Sequence, residues 1–366
     1  MHVALVISSL SSGGAERVLS LMANYWAERG WQVTIVTLSD CGNDFYALDT
    51  RIRRVGLNVL KPSANPWQSL RNSLDRIISL RRTLLELAPQ VVISFMDLTN
   101  ILTLMAAAGS GIPVVISERI DPAYADLGRL RNWLRQRLYP RAAAAVVLQT
   151  GRVREWAAAF VPAHRLHVIA NPVTTAEQSK GSNDAVVLPG RTVLAVGRLT
   201  EQKGFDLLIR AFAATKHDDW SLLILGEGEQ QPQLQALIDS LGMERQIFLK
   251  GRVTNVQQYL RKAKLFVLSS RHEGFPNALL EAMSAGLPVI GYDCPSGPAE
   301  IICHEENGLL VPAGDVEGLA AALDRLMDDE ALRSRLGNAA RAVQERFAID
   351  RIMKQWQKII NNVVTV

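Results

Sequence analysis

Short runs of β-branched and aliphatic residues alternate with helical patterns along nearly the whole chain, and this alternation limits the possible folds more than any other feature. Strands that alternate with helices are typical of parallel sheets whose two faces are covered by helices. The alternation therefore predicts an α/β protein with two doubly wound, Rossmann-like sheets. The strand-like runs form a first series, residues 3–7, 33–38, 91–95, 114–117, 145–148 and 167–170, and a second series, residues 193–196, 222–225, 247–249, 265–268 and 289–291.

A polar segment rich in Ser, Asn, Gly and Pro, residues 174–191, separates the two series. The 366 residues also exceed the roughly 100–200 residues of a typical single domain. We predict an N-terminal domain over 1–172, a linker over 173–191 and a C-terminal domain over 192–349. Because ligands bind such sheets at the carboxyl ends of the strands, we expect the functional cleft to lie between the domains.

The last predicted helix carries an apolar stripe made of Ile352, Trp356, Ile359 and Ile360. Side chains at this spacing share one face of a helix, and that face must pack against other apolar surface. We expect residues 350–366 to pack back on the N-terminal domain.

Positive charge is concentrated in the N-terminal half. The net charge of the whole chain is +4, but the segment 51–165 has 17 Arg or Lys against 7 Asp or Glu, which leaves −6 for the rest. A basic half favours an anionic partner such as phosphates, a membrane surface or nucleic acid. Nucleic acid is disfavoured, because no basic and aromatic recognition motif accompanies the charge.

The composition is that of an ordinary soluble globular protein, with 48% hydrophobic and 21% charged residues. Three cysteines are too few and too scattered for a disulfide framework, and no pair has metal-ligand spacing. No stretch of about 20 uninterrupted apolar residues is present to span a bilayer. The first residues resemble a strand and not a signal peptide. We therefore expect a cytoplasmic protein.

Two glutamates flank the start of a predicted helix in the C-terminal half. Glu273 lies in the loop before this helix and Glu281 lies within it, while Asn277 is placed to cap it. Carboxylates there can accept hydrogen bonds from sugar hydroxyls, and free N–H groups at a helix start suit a phosphate. A nucleotide sugar presents both groups in one molecule. The alternative is that both glutamates lie at the start of a helix and bind no ligand.

Two cations lie five residues apart in the segment Val-Gly-Arg-Leu-Thr-Glu-Gln-Lys-Gly, between a predicted strand and a helix. These are Arg198 and Lys203. Fixed positive charges at a cleft edge can neutralise a leaving diphosphate, Arg as a bidentate fork and Lys as a point charge. The alternative is that both are solvated surface cations.

These segments carry a family resemblance. Glu273 and Glu281 match the E-x7-E motif of GT-B glycosyltransferases, and nearly the whole chain resembles glycosyltransferase family 4. Within that family it looks most like the bacterial amylovoran and PglH-type enzymes, which build surface polysaccharides or lipid-linked oligosaccharides. The resemblance implies a GT-B fold and transfer with retention of the anomeric configuration.

The resemblance also implies roles for individual residues. Arg198 and Lys203 would grip the donor diphosphate, Glu273 would bind the donor sugar, and these three would be catalytic; Glu281 would bind the ribose. A UDP-sugar is the donor that most relatives use. The residues implied in donor binding are Gly14, Gly226, Arg252, Val253, Gly274, Phe275, Pro276, Asn277, Leu280 and Glu281.

The acceptor side departs from the family pattern. Many relatives carry a His after the fourth strand of the N-terminal domain, and Arg119 occupies that place here. Glu118 and Arg119 are therefore candidate acceptor contacts. Gly13 and Gly14 form a Gly-rich turn where relatives let ligands approach the backbone, although a tight structural turn is the alternative.

Two basic amphipathic segments offer a membrane-facing acceptor site. Arg71 and Arg82 flank the first apolar stripe, and a second segment combines five arginines with apolar residues between 129 and 141. Such helices can lie on a lipid surface with their arginines at phosphates, or can pack on the sheet with the arginines in water. The apolar stripe of the first segment is formed by Trp67, Leu70, Leu74, Ile77, Ile78, Leu84 and Leu85.

These observations predict a retaining transferase that moves a hexose or N-acetylhexosamine from a UDP-sugar to a bacterial surface glycan, carried on polyprenyl diphosphate. Because no acidic D-x-D cluster lies in a suitable place, we expect no metal and no other cofactor. We expect peripheral contact with the cytoplasmic face of an anionic inner membrane. The alternatives are a transferase with a soluble sugar acceptor and a non-catalytic protein that binds a sugar nucleotide or glycolipid.

Overall fold

The computed structural model describes residues 1–42, 44–62, 64–124, 128–173 and 186–365. The chain divides into two compact units, unit 1 (Met1–Asn171 with Asp350–Val366) and unit 2 (Pro172–Ile349). Each unit contains one parallel sheet covered by helices, so the prediction of two Rossmann-like α/β domains is confirmed. Most of the predicted linker, 174–185, lies outside the described residues.

Seven parallel strands of the described residues form the sheet of unit 1, in the order β3-β2-β1-β4-β5-β6-β7. The edge strand β3 was not predicted, because two arginines occupy half of it and break the apolar pattern. The strands are β1 (His2–Ile7), β2 (Gln32–Thr37), β3 (Arg53–Gly56), β4 (Val91–Phe95), β5 (Val114–Ser117), β6 (Ala145–Leu148) and β7 (Leu166–Val168).

Helices α2, α3 and α4 lie together on one face of this sheet. Leu84 of α2, Leu104 of α3 and Tyr139 of α4 belong to one buried apolar cluster with the side chains of β1, β4, β5 and β6. The central strands β1, β4, β5 and β6 are mostly apolar because helices cover both faces of a parallel sheet. The helices are α1 (Gly14–Glu28), α2 (Pro66–Leu87), α3 (Asp97–Ala106), α4 (Gly128–Ala142) and α5 (Gly151–Ala158).

Six parallel strands of the described residues form the sheet of unit 2, in the order β10-β9-β8-β11-β12-β13. The strand order reverses between β8 and β11, which are neighbours in the sheet but lie far apart in the chain. The edge strand β13 was missing from the predicted series. The strands are β8 (Arg191–Val196), β9 (Trp220–Leu225), β10 (Ile247–Gly251), β11 (Leu265–Leu268), β12 (Val289–Asp293) and β13 (Leu309–Pro312).

The helices of unit 2 pack on both faces of its sheet, and Phe212, Leu323 and Leu336 contribute to its largest apolar cluster. They are α6 (Phe205–Ala213), α7 (Gln231–Ser240), α8 (Val256–Lys262), α9 (Asn277–Ser284), α10 (Pro298–Ile301), α11 (Val316–Asp328), α12 (Glu330–Ala340) and α13 (Val343–Arg346).

The last helix, α14 (Ile349–Val364), packs on unit 1. Its Trp356 is buried with its ring centroid 6.1 Å from that of Phe95, at the end of β4. Asp350 accepts hydrogen bonds from the Tyr25 hydroxyl and from Arg29 Nη2, each at 2.8 Å. The apolar stripe and the polar start of α14 therefore both contact residues of unit 1.

Candidate functional site

The loops after β8 and β11 lie at the point where the strand order of unit 2 reverses. In open α/β sheets such a reversal leaves a crevice at the carboxyl ends of the strands, and ligands bind there. The loop after β8 carries Arg198 and Lys203, and the loop after β11 carries Glu273. The fold therefore brings the two loops that carry these three residues to the same edge of the sheet.

Lys203 and Glu273 form a direct ion pair. Lys203 lies in a 3₁₀ turn, Glu201–Lys203, and its Nζ is 2.6 Å from Glu273 Oε1. The same carboxylate oxygen accepts a hydrogen bond of 2.6 Å from Ser270 Oγ. Glu273 is buried, whereas 22% of the Lys203 side chain is exposed. The ammonium group of Lys203 is thus partly accessible to a ligand, and the buried carboxylate of Glu273 neutralises its charge from the protein interior.

A second ion pair joins the loop after β11 to the first turn of α6, directly after the Lys203 turn. Arg271 Nη1 and Nη2 donate to the two carboxylate oxygens of Asp206 at 2.8 and 2.7 Å. Burial by itself would raise the pKa of Asp206, but the hydrogen bonds and charge of Arg271 outweigh it and lower that pKa. Bidentate pairs of this kind fix orientation as well as distance. The pair therefore holds the Lys203 turn against the Glu273 loop.

Arg198 is exposed and makes no ion pair with any described residue. Its backbone position is fixed, since the N–H of Leu199 donates to the Glu227 carbonyl at 2.9 Å. A guanidinium on a fixed backbone with its head group in solvent can bind an anion without first breaking an internal contact.

Helix α9 starts without a side-chain cap. Pro276 occupies the N-cap position and Asn277 is the first helical residue, so the prediction that Asn277 caps the helix is wrong. Its first-turn N–H groups, which include that of Ala278, are therefore not satisfied by a capping side chain. Further along α9, Glu281 is buried, and its Oε2 accepts a hydrogen bond from Gln257 Nε2 at 3.3 Å.

Most of the other predicted donor residues of this loop and of α9 are buried. Leu280 is 1% exposed and Phe275 is buried with its ring 5.9 Å from that of Phe347. Pro276 is also buried, while Gly274 is half-buried. Of these side chains, Phe275 and Leu280 anchor the start of α9 in the core, which leaves the backbone to face a ligand.

Gly226 follows β9 and lies against the loop after β8. Its φ is +144°, its N–H donates to the Gly251 carbonyl at 2.9 Å, and an added Cβ would lie 1.8 Å from the Gly197 carbonyl oxygen. No side chain fits there unless the backbone moves. At this edge of the sheet, the backbone after β9 therefore lies directly against the backbone after β8, with no side chain between them.

Two of the implied donor-binding residues, Arg252 and Val253, follow β10. Arg252 is exposed and its Nη1 lies 3.3 Å from Glu227 Oε1, whereas Val253 is half-buried. An exposed pair of this type contributes little to stability, so the guanidinium can exchange partners at small cost.

In unit 1, the glycine-rich turn leads into α1. Gly13 is the N-cap residue and Gly14 the first helical residue, and the Tyr46 hydroxyl donates to the Gly13 carbonyl at 3.0 Å. The carboxylate of Glu16 folds back over Gly13, where an added Cβ would collide with it. The turn is thus already occupied by an internal carboxylate at the helix start.

Glu118 and Arg119 are both buried in unit 1. The Glu118 carboxylate accepts a hydrogen bond from the Tyr139 hydroxyl and lies 3.1 Å from Arg135 Nε. Burial raises the pKa of Glu118, although the charge of Arg135 opposes this. The carboxylate is therefore directed to α4, not to solvent as an acceptor contact requires.

Arg119 lies between two aromatic rings. Its guanidinium is 3.6 Å from the Phe95 ring centroid and 5.9 Å from that of Trp356, and its Nη1 donates to Asn171 Oδ1 at 2.7 Å. Burial lowers the pKa of Arg119 to about 9. The residue joins β5 to α14 and to the last residue of the first segment of unit 1.

Helix α2 has two apolar faces, so the prediction that its stripe forms one face is wrong. Leu84 is buried on the sheet, whereas Leu70 is 55% and Ile78 is 64% exposed. Arg71 and Arg82 are both exposed, and Arg82 pairs with Glu86 one turn away. The outward face, which carries the two arginines, consists of Trp67, Leu70, Leu74, Ile78 and Leu85.

Two site residues were missed in the sequence. Ser270 bonds to the Glu273 carboxylate, and Cys294 is buried after β12. Burial, and then the charge of Glu273, raise the pKa of the Cys294 thiol to about 12. A lone serine or cysteine has no distinguishing pattern in a sequence, so only the fold shows that these residues lie beside Glu273.

Two family profiles match most of the chain. The profile described as "Glycosyl transferase 4-like domain" matches residues 13–172, and "Glycosyl transferases group 1" matches residues 184–343. The chain belongs to glycosyltransferase family 4. The resemblance seen in the sequence is thereby confirmed, and this glycosyltransferase has the GT-B fold, two Rossmann-like units in one chain.

Some similar proteins align over nearly the full length of the glycosyltransferase and others over part of it. The GalNAc-α-(1→4)-GalNAc-α-(1→3)-diNAcBac-PP-undecaprenol α-1,4-N-acetyl-D-galactosaminyltransferase of Campylobacter jejuni is 29% identical over 99% of both chains. The amylovoran biosynthesis glycosyltransferase AmsD of Erwinia amylovora is 27% identical over 98% of this chain and 99% of its own. The exopolysaccharide phosphotransferase SCO2592 of Streptomyces coelicolor is 39% identical, but over 65% of this chain and only 25% of its own length.

Solved structures show the same fold. HepE of Anabaena, in complex with UDP, superposes with a TM-score of 0.79 at 19% identity, over 99% of this glycosyltransferase and 100% of that chain. Within the described residues, no helix combines the length and apolarity needed to cross a membrane, and no group of three His, Cys, Asp or Glu residues is arranged to hold a metal ion.

Proposed function

We propose that this glycosyltransferase moves a hexose or N-acetylhexosamine from a UDP-sugar, with retention, to a glycan carried on polyprenyl diphosphate. The observation that carries the donor half is the 2.6 Å pair of Lys203 and Glu273 beside the exposed Arg198, at the strand reversal of unit 2. The UDP bound to the structurally similar HepE supports the choice of nucleotide.

Each charged group has a place in the reaction. The bond from the anomeric carbon to the diphosphate breaks, and UDP leaves with the bonding electrons. Arg198 and Lys203 stabilise the charge that develops on the diphosphate, and no metal is then required. Glu273 accepts hydrogen bonds from the donor sugar and Glu281 from the ribose.

Retention requires that the new bond form on the face from which UDP departs. The acceptor hydroxyl attacks the anomeric carbon on that face, and its proton passes to the departing phosphate. Glu273 has its Oε1 engaged by Lys203 and Ser270, so it is placed as a fixed hydrogen-bond acceptor and we assign it no covalent intermediate.

The lipid-linked acceptor is supported by the exposed faces of α2 and α4. Each helix ends just before the next strand of the sheet begins, so its first half lies toward the carboxyl edge. On that half, Trp67 is 82%, Leu70 55%, Leu130 69% and Trp133 53% exposed. Apolar side chains beside arginines favour a membrane interface with anionic phosphates. The undecaprenol-linked acceptor named for the similar Campylobacter enzyme agrees with this proposal.

The test is UDP release from a panel of UDP-sugars, with and without a polyprenyl-diphosphate-linked acceptor, in buffer that contains EDTA. We expect acceptor-dependent release that EDTA leaves unchanged, and an α-linked product from an α-linked donor by NMR. Donor binding without turnover would support a sugar-nucleotide binding protein instead. Equal rates with a soluble sugar acceptor would contradict the proposal that the acceptor is lipid-linked. A product with inverted anomeric configuration would contradict retention.

A further inference from the structure

A basic concavity of about 520 Å³ lies at the amino edge of the unit 2 sheet, opposite the donor loops. Its wall includes Trp220 at the start of β9 and Pro288 just before β12, whereas the donor loops follow the far ends of the strands. Strands of four to six residues separate the two edges by roughly 13–20 Å. The charged residues of the wall are Arg191, Arg261, Lys264, Arg333, Arg341 and Glu330.

Five cations against one carboxylate give this wall a net charge of +4. Two of the cations have internal partners. Arg191 pairs with Asp219 at 3.1 Å, and Arg333 donates to the Met327 carbonyl at 2.8 Å. The other three, Arg261, Lys264 and Arg341, form no ion pair with any residue in the described part of unit 2.

Helix ends account for only part of this charge. The carboxyl ends of α8, α9 and α11 meet near the concavity, and each carries about half a negative charge. Together with Asp219 they offset about two and a half of the four positive charges. More than one positive charge remains in a concave wall, where low-dielectric surroundings strengthen the field on an anion.

Size and polarity favour a small molecule as the ligand. Pockets of roughly 300–1,000 Å³ are typical of small-molecule sites, and this one lies within that range. The side chains of Ser334 and Asn338 add hydrogen-bonding groups to the wall. The buried indole N–H of Trp220 has no hydrogen-bond partner among the described residues, which is a rare and costly state.

We propose that the basic concavity binds a small ligand with two or more phosphate groups, at a site separate from the nucleotide-sugar site. Arg261, Lys264 and Arg341 supply the charge that such a ligand neutralises. The site does not depend on the proposed transferase substrates. Helix α9 begins at the donor loop and ends at the concavity, at Ala285 and Gly286, so one rigid element adjoins both sites.

Titration calorimetry of the full chain with inorganic pyrophosphate at low salt tests the proposal. The site variant is Arg261→Gln with Lys264→Gln and Arg341→Gln. The donor variant is Arg198→Ala with Lys203→Ala. A matched control carries the same change in charge at exposed positions of unit 2, with the substitutions Arg210→Gln, Lys216→Gln and Arg245→Gln.

We expect the wild-type chain and the control to bind pyrophosphate at two classes of site. The site variant should lose one class, with affinity reduced at least about tenfold, and the donor variant should keep that class. Circular dichroism should show that all variants are folded. A single class that disappears in the donor variant would overturn the proposal, as would equal binding by the site variant and the control.

A lipid headgroup presents the same phosphate chemistry, and a second measurement separates the two sources. Sedimentation with anionic vesicles should be equal for the site variant and the control. If the site variant lost vesicle binding but kept pyrophosphate binding, the proposal of a soluble ligand would be wrong. The concavity would then be a contact site for a membrane surface.

Discussion

Lys203 Nζ lies 2.6 Å from Glu273 Oε1, although the two residues are 70 positions apart in the chain. The pair joins the loop after β8 to the loop after β11 and sets the spacing of a cation and a carboxylate across the strand reversal. Without a donor, each charge balances the other. A donor diphosphate would bind the exposed side of Lys203, while Glu273 would bind the hydroxyls of the donor sugar. The ion pair keeps the two side chains in place for these contacts.

Lys203→Ala should slow transfer more than it changes donor affinity. Loss of one preorganised group that stabilises a developing charge costs roughly 10²–10³ in kcat. The measurement is the rate of acceptor-dependent UDP release at saturating donor. Lys216→Ala, which removes another lysine of unit 2, should keep the wild-type rate. A wild-type rate for Lys203→Ala would contradict the assignment.

Glu281→Ala should chiefly weaken donor binding. A hydrogen bond to a charged group contributes about 1.5–3 kcal/mol, which corresponds to roughly a 10- to 100-fold rise in the dissociation constant. Titration with UDP measures it. Glu317→Ala, at an exposed glutamate in the first turn of α11, is the control. If UDP affinity stays unchanged while thermal stability falls, Glu281 is a structural residue only.

Gly226→Ala should destabilise unit 2. The substitution adds a Cβ at a φ of +144° and 1.8 Å from the Gly197 oxygen, so the strand ends must separate. We expect the free energy of unfolding to fall by roughly 2–4 kcal/mol, from overpacking and backbone strain together. Denaturant titration measures it. Gly242→Ala also has a positive φ, +67°, but open space around it, and should cost clearly less.

Cys294 should resist alkylation at pH 8 while the other two cysteines react. Burial and the charge of Glu273 raise the pKa of its thiol to about 12, so the reactive thiolate is scarce at that pH. Cys41 and Cys303 are exposed. Iodoacetamide labelling with mass spectrometry should find two modified cysteines in the native protein and three in denaturant. Rapid native labelling of Cys294 would show that the space beside Glu273 is open to solvent.

Leu70→Ser should reduce binding to anionic vesicles by about tenfold, because burying a leucine side chain contributes roughly 1.5–3 kcal/mol. Leu85→Ser is the matched control, since Leu85 is 50% exposed on the same helix but lies near its other end. Co-sedimentation at low and high salt measures both. Unchanged binding of Leu70→Ser would show that α2 does not contact the membrane, and equal losses for the two variants would contradict a contact confined to the first half of the helix.

The sequence was sufficient for the architecture and for most central strands. Those strands are apolar runs bounded by polar loops, and this pattern can be recognised in the sequence without knowledge of how the side chains pack. The strands β3 and β13 were missed, β3 because two of its four residues are arginines and β13 because Pro312 ends its short apolar run. The stripe of α2 was misjudged because apolar residues on two faces of the helix were read as one face. Ile77 and Leu80 pack inward, whereas Leu74 and Ile78 are exposed.

The candidate site was predictable only in its residue types. Arg198, Lys203 and Glu273 were expected to share a ligand, and the family match supports such a site. The direct contact of Lys203 with Glu273, the support from Ser270 and the burial of Arg119 depend on how distant loops pack. Such contacts leave no periodic or local signal in a single sequence.

Because α14 packs on unit 1, the unit that is synthesised first cannot complete its core until the last helix has been made. Residues 1–171 leave the ribosome first, but Phe95 and its neighbours stay uncovered until Trp356 arrives, after all of unit 2 has been made. At about 5–20 residues per second this delay is on the order of ten seconds or more. Unit 2, whose segment is continuous, can complete its core earlier. The nascent first half therefore keeps apolar surface of unit 1 exposed during that time, which is the stage most prone to aggregation.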